Sequence, residues 1–196
     1  MEIVRRAPED IFDHFLSAWH AWPKAPESGV PYRAALNPMR HKDYIPFVNL
    51  CDYEGDGCVR LRLVGTANVE FLGNDPTGTS TADQIVVEDP QVKLHRKVVS
   101  NIFEHSCGVH VVRRVPNQFS REWIYETLSL PLANREGASN IAMIAAQIRT
   151  TDGKPHEYLP GSFRLDESRI CSVDYIDLGT GAPPPEIVPA RSEDAA

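Results

Sequence analysis

A histidine on the apolar face of a predicted helix is the strongest candidate for a chemical role in this chain. Residues 89–105 have the pattern of an amphipathic helix, and His95 lies near the centre of its apolar half, with Val92, Val99 and Ile102 beside it. Three roles fit a neutral imidazole at this position: a core histidine bonded to a backbone carbonyl, a contact to a bound small molecule, or an axial ligand of haem iron. The sequence leaves these three roles open.

Two other segments contain residue types that bind metal ions. His105, Cys107 and His110 have the spacing HxCxxH, whose side chains suit zinc, but they straddle a helix end and no fourth ligand lies nearby in the sequence. Residues 52–57 begin like a calcium loop, yet the twelfth position of that loop is Leu63, where a bidentate glutamate is required. We therefore predict no metal site.

Signatures of the common catalytic sites do not occur in the sequence. There is no GxSxG nucleophile motif, no phosphate-binding P-loop and no GxGxxG dinucleotide motif. We predict a protein that is not an enzyme. The alternative is an enzyme on an α+β sheet that uses His95 or His105 as a general base, and it requires a carboxylate or a nucleophile in the same pocket.

A small basic cluster occurs near a predicted β-turn. Arg113, Arg114 and Arg121 bracket this turn. A positively charged hairpin end of this kind can contact an acidic partner or a phosphorylated ligand. More often it is the solvated end of a hairpin, and that is our interpretation.

Composition limits the class of protein. The chain has 196 residues, of which 42% are hydrophobic and 24% charged, as in an ordinary globular domain. Its formal net charge of −7 argues against a nucleic-acid partner. No stretch reaches the roughly 18 apolar residues of a membrane span, and no apolar signal core follows the charged N-terminus. We expect a cytoplasmic protein whose four cysteines are free thiols.

The elements that position the candidate residues can be read from periodicity. We predict an α+β fold, in which a five-stranded antiparallel sheet carries helices on one face and an N-terminal amphipathic helix precedes it. The predicted strands are 46–53, 58–66, 108–116, 120–132 and 138–149. The last of these is apolar on both faces, so it is expected to lie centrally and both sheet faces must be covered. The predicted helix 8–22 is expected to cover one of these sheet faces, either in its own chain or in a second copy of the chain.

Three sequence blocks resemble the signature of a family of stand-alone bacterial PAS proteins. They are Arg60–Thr66 (RLRLVGT), Phe71–Gly78 (FLGNDPTG) and Leu128–Leu132 (LSLPL), the last followed by Gly137. The resemblance implies a PAS fold and a sensory or adaptor role in signalling without catalysis. It also implies a small molecule held between the sheet and the long helix, or a signalling partner bound on the outer sheet face. It names no ligand, so the cofactor is unknown, and it favours a homodimer formed through the N-terminal helix.

The resemblance also defines the predicted domain boundaries and pocket. Residues 1–30 form the N-terminal helix and linker, 31–150 the PAS-like domain, and 151–196 a C-terminal extension with a disordered tail and one more strand candidate. The predicted pocket residues are His95, Val92, Val99 and Ile102 on the long helix, together with Arg62, which matches the family arginine.

Overall fold

The computed structural model describes residues 6–84, 89–116, 122–151, 168–186 and 188. The predicted disordered tail lies outside the described residues from 189 onward. In chain order the elements are α1 (Ile11–Ala21), β1 (Val48–Gly55), β2 (Cys58–Leu63), α2 (Thr66–Leu72), α3 (Thr81–Gln84), α4 (Pro90–Glu104), β3 (Gly108–Pro116), β4 (Glu122–Ala133), β5 (Ser139–Thr150) and β6 (Arg169–Ile176). None of the helices in the described ranges has the length and apolar character needed to cross a membrane.

The strands form one sheet in the order β2-β1-β5-β4-β3-β6, and all neighbouring strands are antiparallel. The hairpin of β1 and β2 joins β5, which lies in the middle of the sheet as its apolar sequence predicts. The prediction of five strands is wrong by one, because β6 pairs with the outer edge of β3. Burial of Ile170 and Val173 against β3 and α4 stabilises this sixth strand.

Helix α1 covers one face of the sheet. Ile11, Phe15 and Trp19 follow one another at four-residue spacing and are fully buried against the middle strands. The Trp19 indole N–H also donates a hydrogen bond of 2.8 Å to the carbonyl oxygen of Pro131 in β4. The helix therefore docks on the sheet of its own chain.

Helix α4 lies against the opposite face, where Phe71 of α2 also packs on β4, and α3 contacts the edge strand β2. Asp89 caps α4 by accepting a hydrogen bond of 2.6 Å from the backbone N–H of Gln91, and Pro90 occupies the first turn. Leu94 and Val98 then pack on β3 and β6. This packing fixes which side of α4 faces the sheet.

The turn between β1 and β2 contacts the backbone of α4. Gly57 has a φ of 71°, and a Cβ atom at this position would lie 2.2 Å from the carbonyl oxygen of Arg96. Only glycine combines that backbone conformation with so close an approach. The hairpin and α4 are thereby held in contact.

Candidate functional site

The polar centre of the interface between α4 and the sheet is formed by His95 and Arg113. His95 lies in the second turn of α4 and Arg113 lies on β3, and both side chains are half-buried. Nη2 of Arg113 donates a hydrogen bond of 2.9 Å to Nδ1 of His95. Because a guanidinium has no acceptor, Nδ1 of His95 must be the acceptor, and Nε2 carries the proton of the neutral ring.

His95 stays neutral at physiological pH. Burial lowers the pKa of His95 to about 3, and the positive charges of Arg113 and Arg96 act in the same direction. A general base works best when its pKa is near the operating pH, so His95 is poorly suited to that role. Its Nε2 also has no lone pair for a haem iron, since that atom carries the proton.

Tyr125 lies on β4 directly across from Arg113. Its ring stacks on Phe71 of α2 with the centroids 5.7 Å apart and the planes 6° from parallel. Burial raises the pKa of Tyr125 to about 12, against the opposing effect of the Arg113 charge, so the phenol keeps its proton. Phe71 and Trp123 form a buried apolar cluster here, with Leu72, Tyr125 and Ile148 packed against it.

Within the described residues, no carboxylate lies at ion-pair distance from Arg113 or Arg96. Burial lowers the pKa of Arg113, but a guanidinium remains protonated in proteins. The Nε atom of Arg96 is buried and has no hydrogen-bond partner in the part of the chain that the structure describes. The interface thus has an excess of positive charge in a chain whose net charge is −7.

The protein-family model of the PAS domain matches residues 11–145, which include α1 and the whole group of His95, Arg113 and Tyr125. The chain belongs to the PAS domain family. A search of curated proteins finds no match. The family match confirms the resemblance to PAS proteins, and the antiparallel α+β sheet confirms the predicted fold class. PAS domains are in general sensory or signalling modules without catalysis.

Three of the predicted pocket residues of this PAS domain lie on α4 beside His95. Val99 is buried and packs against Cys51, and Ile102 is buried on the side that faces β3 and β6. Val92 is half-buried in the first turn. His95 lies in the helix–sheet interface, where its hydrogen-bond partner is a guanidinium and not the backbone carbonyl considered above.

Two other groups of candidates lie apart from His95. Arg62 is on β2, where 61% of its side chain is exposed and it pairs with Asp52 at 2.5 Å. His105 is exposed at the end of α4. The HxCxxH side chains diverge, because Cys107 is buried beneath α4 whereas the His110 ring packs on Phe12 of α1, on the opposite sheet face.

Sequence analysis missed the position of Arg113 in this interface. The interpretation of Arg113 and Arg114 as a solvated hairpin end holds only for Arg114, which is exposed and pairs with Glu122 at 3.4 Å. Arg121 lies outside the described residues. Successive strand residues point to opposite faces, and Val109, Val111 and Val115 are buried at the alternate positions that Arg113 shares. This alternation of apolar positions is the sequence signal that could have placed Arg113 on the inner face of the sheet.

Proposed function

We propose that this PAS domain is a non-catalytic sensory module that binds a small molecule between α4 and the sheet and signals to a protein partner. The observation that carries this proposal is the pair of His95 and Arg113. The pair places a half-buried cation in an interface whose other side chains are mostly apolar. Burial of a charge costs free energy unless the charge is paired. Binding of a molecule that pairs with Arg113 would offset that cost.

The composition of the interface also supports binding of a small molecule. Ligand sites are mostly apolar and contain a few polar groups that orient the ligand. Here the polar groups are the side chains of Arg113, His95 and Tyr125, and the apolar side chains near them include Val92 and Ile148, which are half-buried. Within the described residues no carboxylate pairs with His95 or Arg113, and no observation favours the enzyme alternative.

The test is a double substitution, His95→Leu with Arg113→Met. Replacing a buried charged group and its partner by apolar side chains of similar volume is often neutral or stabilising. We expect the double variant to fold, as judged by circular dichroism, and to lose the small molecule that native mass spectrometry detects on the wild-type protein. Arg114→Met, at the neighbouring exposed position of the same strand, is the matched control and should keep it.

Two results would contradict the proposal. One is a folded double variant that retains the same bound mass as the wild-type protein. The other is a wild-type protein that carries no bound molecule after expression in cells and acquires none from a metabolite extract.

We further propose that the module acts in the cytoplasm as a homodimer, contacting neither nucleic acid nor a membrane. The net charge of −7 disfavours a polyanionic partner. Because Phe15 and Trp19 are buried on their own sheet, a dimer through α1 has to use the half-buried side chains Phe12 and Leu16. Light scattering at micromolar concentration should show a dimer that Leu16→Asp weakens, and a wild-type monomer would contradict the dimer.

A further inference from the structure

We propose that His14 and His41 form a pH-sensitive contact, which joins α1 to the turn of residues 38–44 at neutral pH and opens in mild acid. This inference does not rest on the proposed small molecule, because both rings pack on Phe15 on the sheet face that α1 covers, away from α4. It depends on the hydrogen bond between the two rings, on the side chains that surround them and on the charges nearby.

A single hydrogen bond joins the two histidines. Nε2 of His14 lies 2.8 Å from Nδ1 of His41. Such a bond needs one N–H and one lone pair, so one of these nitrogens carries a proton and the other accepts the bond. A first additional proton can bind the outer nitrogen of the donor ring and leaves the bond intact. A second one has to bind the accepting nitrogen, and the bond is then lost because two imidazolium rings have no acceptor between them.

The surroundings of the pair disfavour a second charge. Only 8% of His41 is exposed, and its ring lies against Phe15 and Trp22 with the centroids 5.6 and 5.7 Å away. The half-buried ring of His14 stacks on Tyr44 with 3.9 Å between the centroids and the planes 8° from parallel. Burial lowers the pKa of His41, and a positive charge on His14 acts in the same direction.

Carboxylates of the same two elements do not pair with the histidines. Within the described residues, neither ring forms an ion pair with an acidic side chain. Asp10, at the start of α1, instead accepts a hydrogen bond of 3.1 Å from the Tyr44 hydroxyl. Arg40 precedes His41, and its charge further lowers the pKa of that ring. The remaining charged or titratable side chains of α1 and the turn, all exposed, are Asp13, His20, Lys42 and Asp43.

Opening of the contact is therefore coupled to the binding of one proton. An exposed histidine has a pKa of about 6.5, so the open pair takes up two additional protons in mild acid whereas the closed pair takes up one. Below that pH the population of the open state rises about five- to tenfold for each unit of pH. Ile11, Phe15 and Trp19 hold the rest of α1 on the sheet and do not titrate, so the opening is local. The domain thereby responds to pH independently of any bound molecule.

The test is amide hydrogen exchange, followed by NMR on the full chain at pH 7, 6 and 5, with rates corrected for the intrinsic effect of pH. The backbone N–H groups of Tyr44 and Ile45 report on the contact, because both donate to the carbonyl oxygen of His41 at 2.9 Å. We expect their protection to fall about five- to tenfold between pH 6 and pH 5.

The matched variants are His14→Gln and His41→Asn. Their amides replace Nε2 and Nδ1 respectively, and an amide oxygen can accept from the remaining histidine whether that ring is neutral or charged. In both variants the fall in protection should be less than about twofold, since the bond no longer limits protonation. His20→Gln, at an exposed histidine of the same helix, is the control and should keep the wild-type fall.

A second measurement needs no variant and covers the case in which a substituted protein does not fold. Long-range 1H–15N spectra of the wild-type protein report the protonation of each ring nitrogen. We expect only one of the two rings to become an imidazolium while Tyr44 and Ile45 stay protected. The inference is overturned if both rings become imidazolium with this protection unchanged, or if wild-type protection is the same at pH 6 and pH 5. It is also overturned if the matched variants show the wild-type fall or if His20→Gln abolishes it.

Discussion

Acid should destabilise this protein through His95. In the unfolded chain the ring has a pKa of about 6.5, whereas in the folded protein burial and two nearby arginines lower it to about 3. Between these values the unfolded state binds one more proton than the folded state. The stability that His95 contributes is therefore fully present above about pH 6.5 and is lost as the pH falls towards 3.

The magnitude follows from the two pKa values. Relative to high pH, the free energy of unfolding should fall by less than about 1 kcal/mol at pH 7 and at pH 6, and by about 2 kcal/mol at pH 5. The test is urea denaturation at these three values, followed by tryptophan fluorescence at low micromolar protein. His95→Asn is the matched variant, because its amide oxygen can accept from Arg113 and its side chain does not titrate.

Comparison with the variant isolates His95 from other titrating groups. The pKa of His41 is also lowered, first by burial and then by the charges of His14 and Arg40, and wild type and variant share this group. The difference in free energy of unfolding between wild type and His95→Asn should thus shift by about 2 kcal/mol between pH 7 and pH 5. A difference that stays constant within about 0.5 kcal/mol would refute the argument that the native ring is held neutral.

Three further changes test the packing of the fold by urea denaturation at pH 7. Trp19→Ala should lower the free energy of unfolding by about 3–5 kcal/mol, because the indole is fully buried. The exposed control Ser17→Ala should lower it by less than about 0.5 kcal/mol. Equal losses would refute the docking of α1. Gly57→Ala should lower the free energy of unfolding by about 1–3 kcal/mol more than Gly55→Ala does, since both glycines have positive φ and only Gly57 lies against the α4 backbone. Equal losses would show that the contact with α4 is not the cause. Tyr175→Phe should lower the free energy of unfolding by about 1–2 kcal/mol, because the Tyr175 hydroxyl accepts a hydrogen bond of 2.7 Å from Asn101 on α4 and donates one of 3.0 Å to Glu186. An unchanged denaturation midpoint would show that these bonds contribute nothing to stability.

The elements of this fold could be predicted because their signals are local. The apolar stripe of α1 and the apolar half of α4 recur with the helical period, and β5 is too apolar to be exposed on either face. From these facts the antiparallel sheet with cover on both faces follows without coordinates. The family was visible for a similar reason, since its sequence blocks lie in the predicted order on those elements.

The count of strands and the cover of the sheet were decided by tertiary contacts. A sequence of strand character such as β6 does not show which edge it joins, and pairing with β3 depends on burial of Ile170 and Val173 beneath α4. Likewise the stripe of α1 predicts that the helix must dock, but not on which chain. The free energy of hydrophobic burial depends on the apolar area that is covered and not on which surface covers it, so the tertiary geometry selects the partner surface.

The candidate site shows the same division. The helical period by itself placed His95 on the inward side of α4, because that position depends only on its own helix. Arg113 became part of the site only when β3 lay beneath α4, which brought its guanidinium within 2.9 Å of the His95 ring. In the sequence, Arg113 and Arg114 are two neighbouring cations. The register of β3 in the sheet turns Arg114 towards solvent and Arg113 into the interface, where partial removal of its charge from water costs free energy.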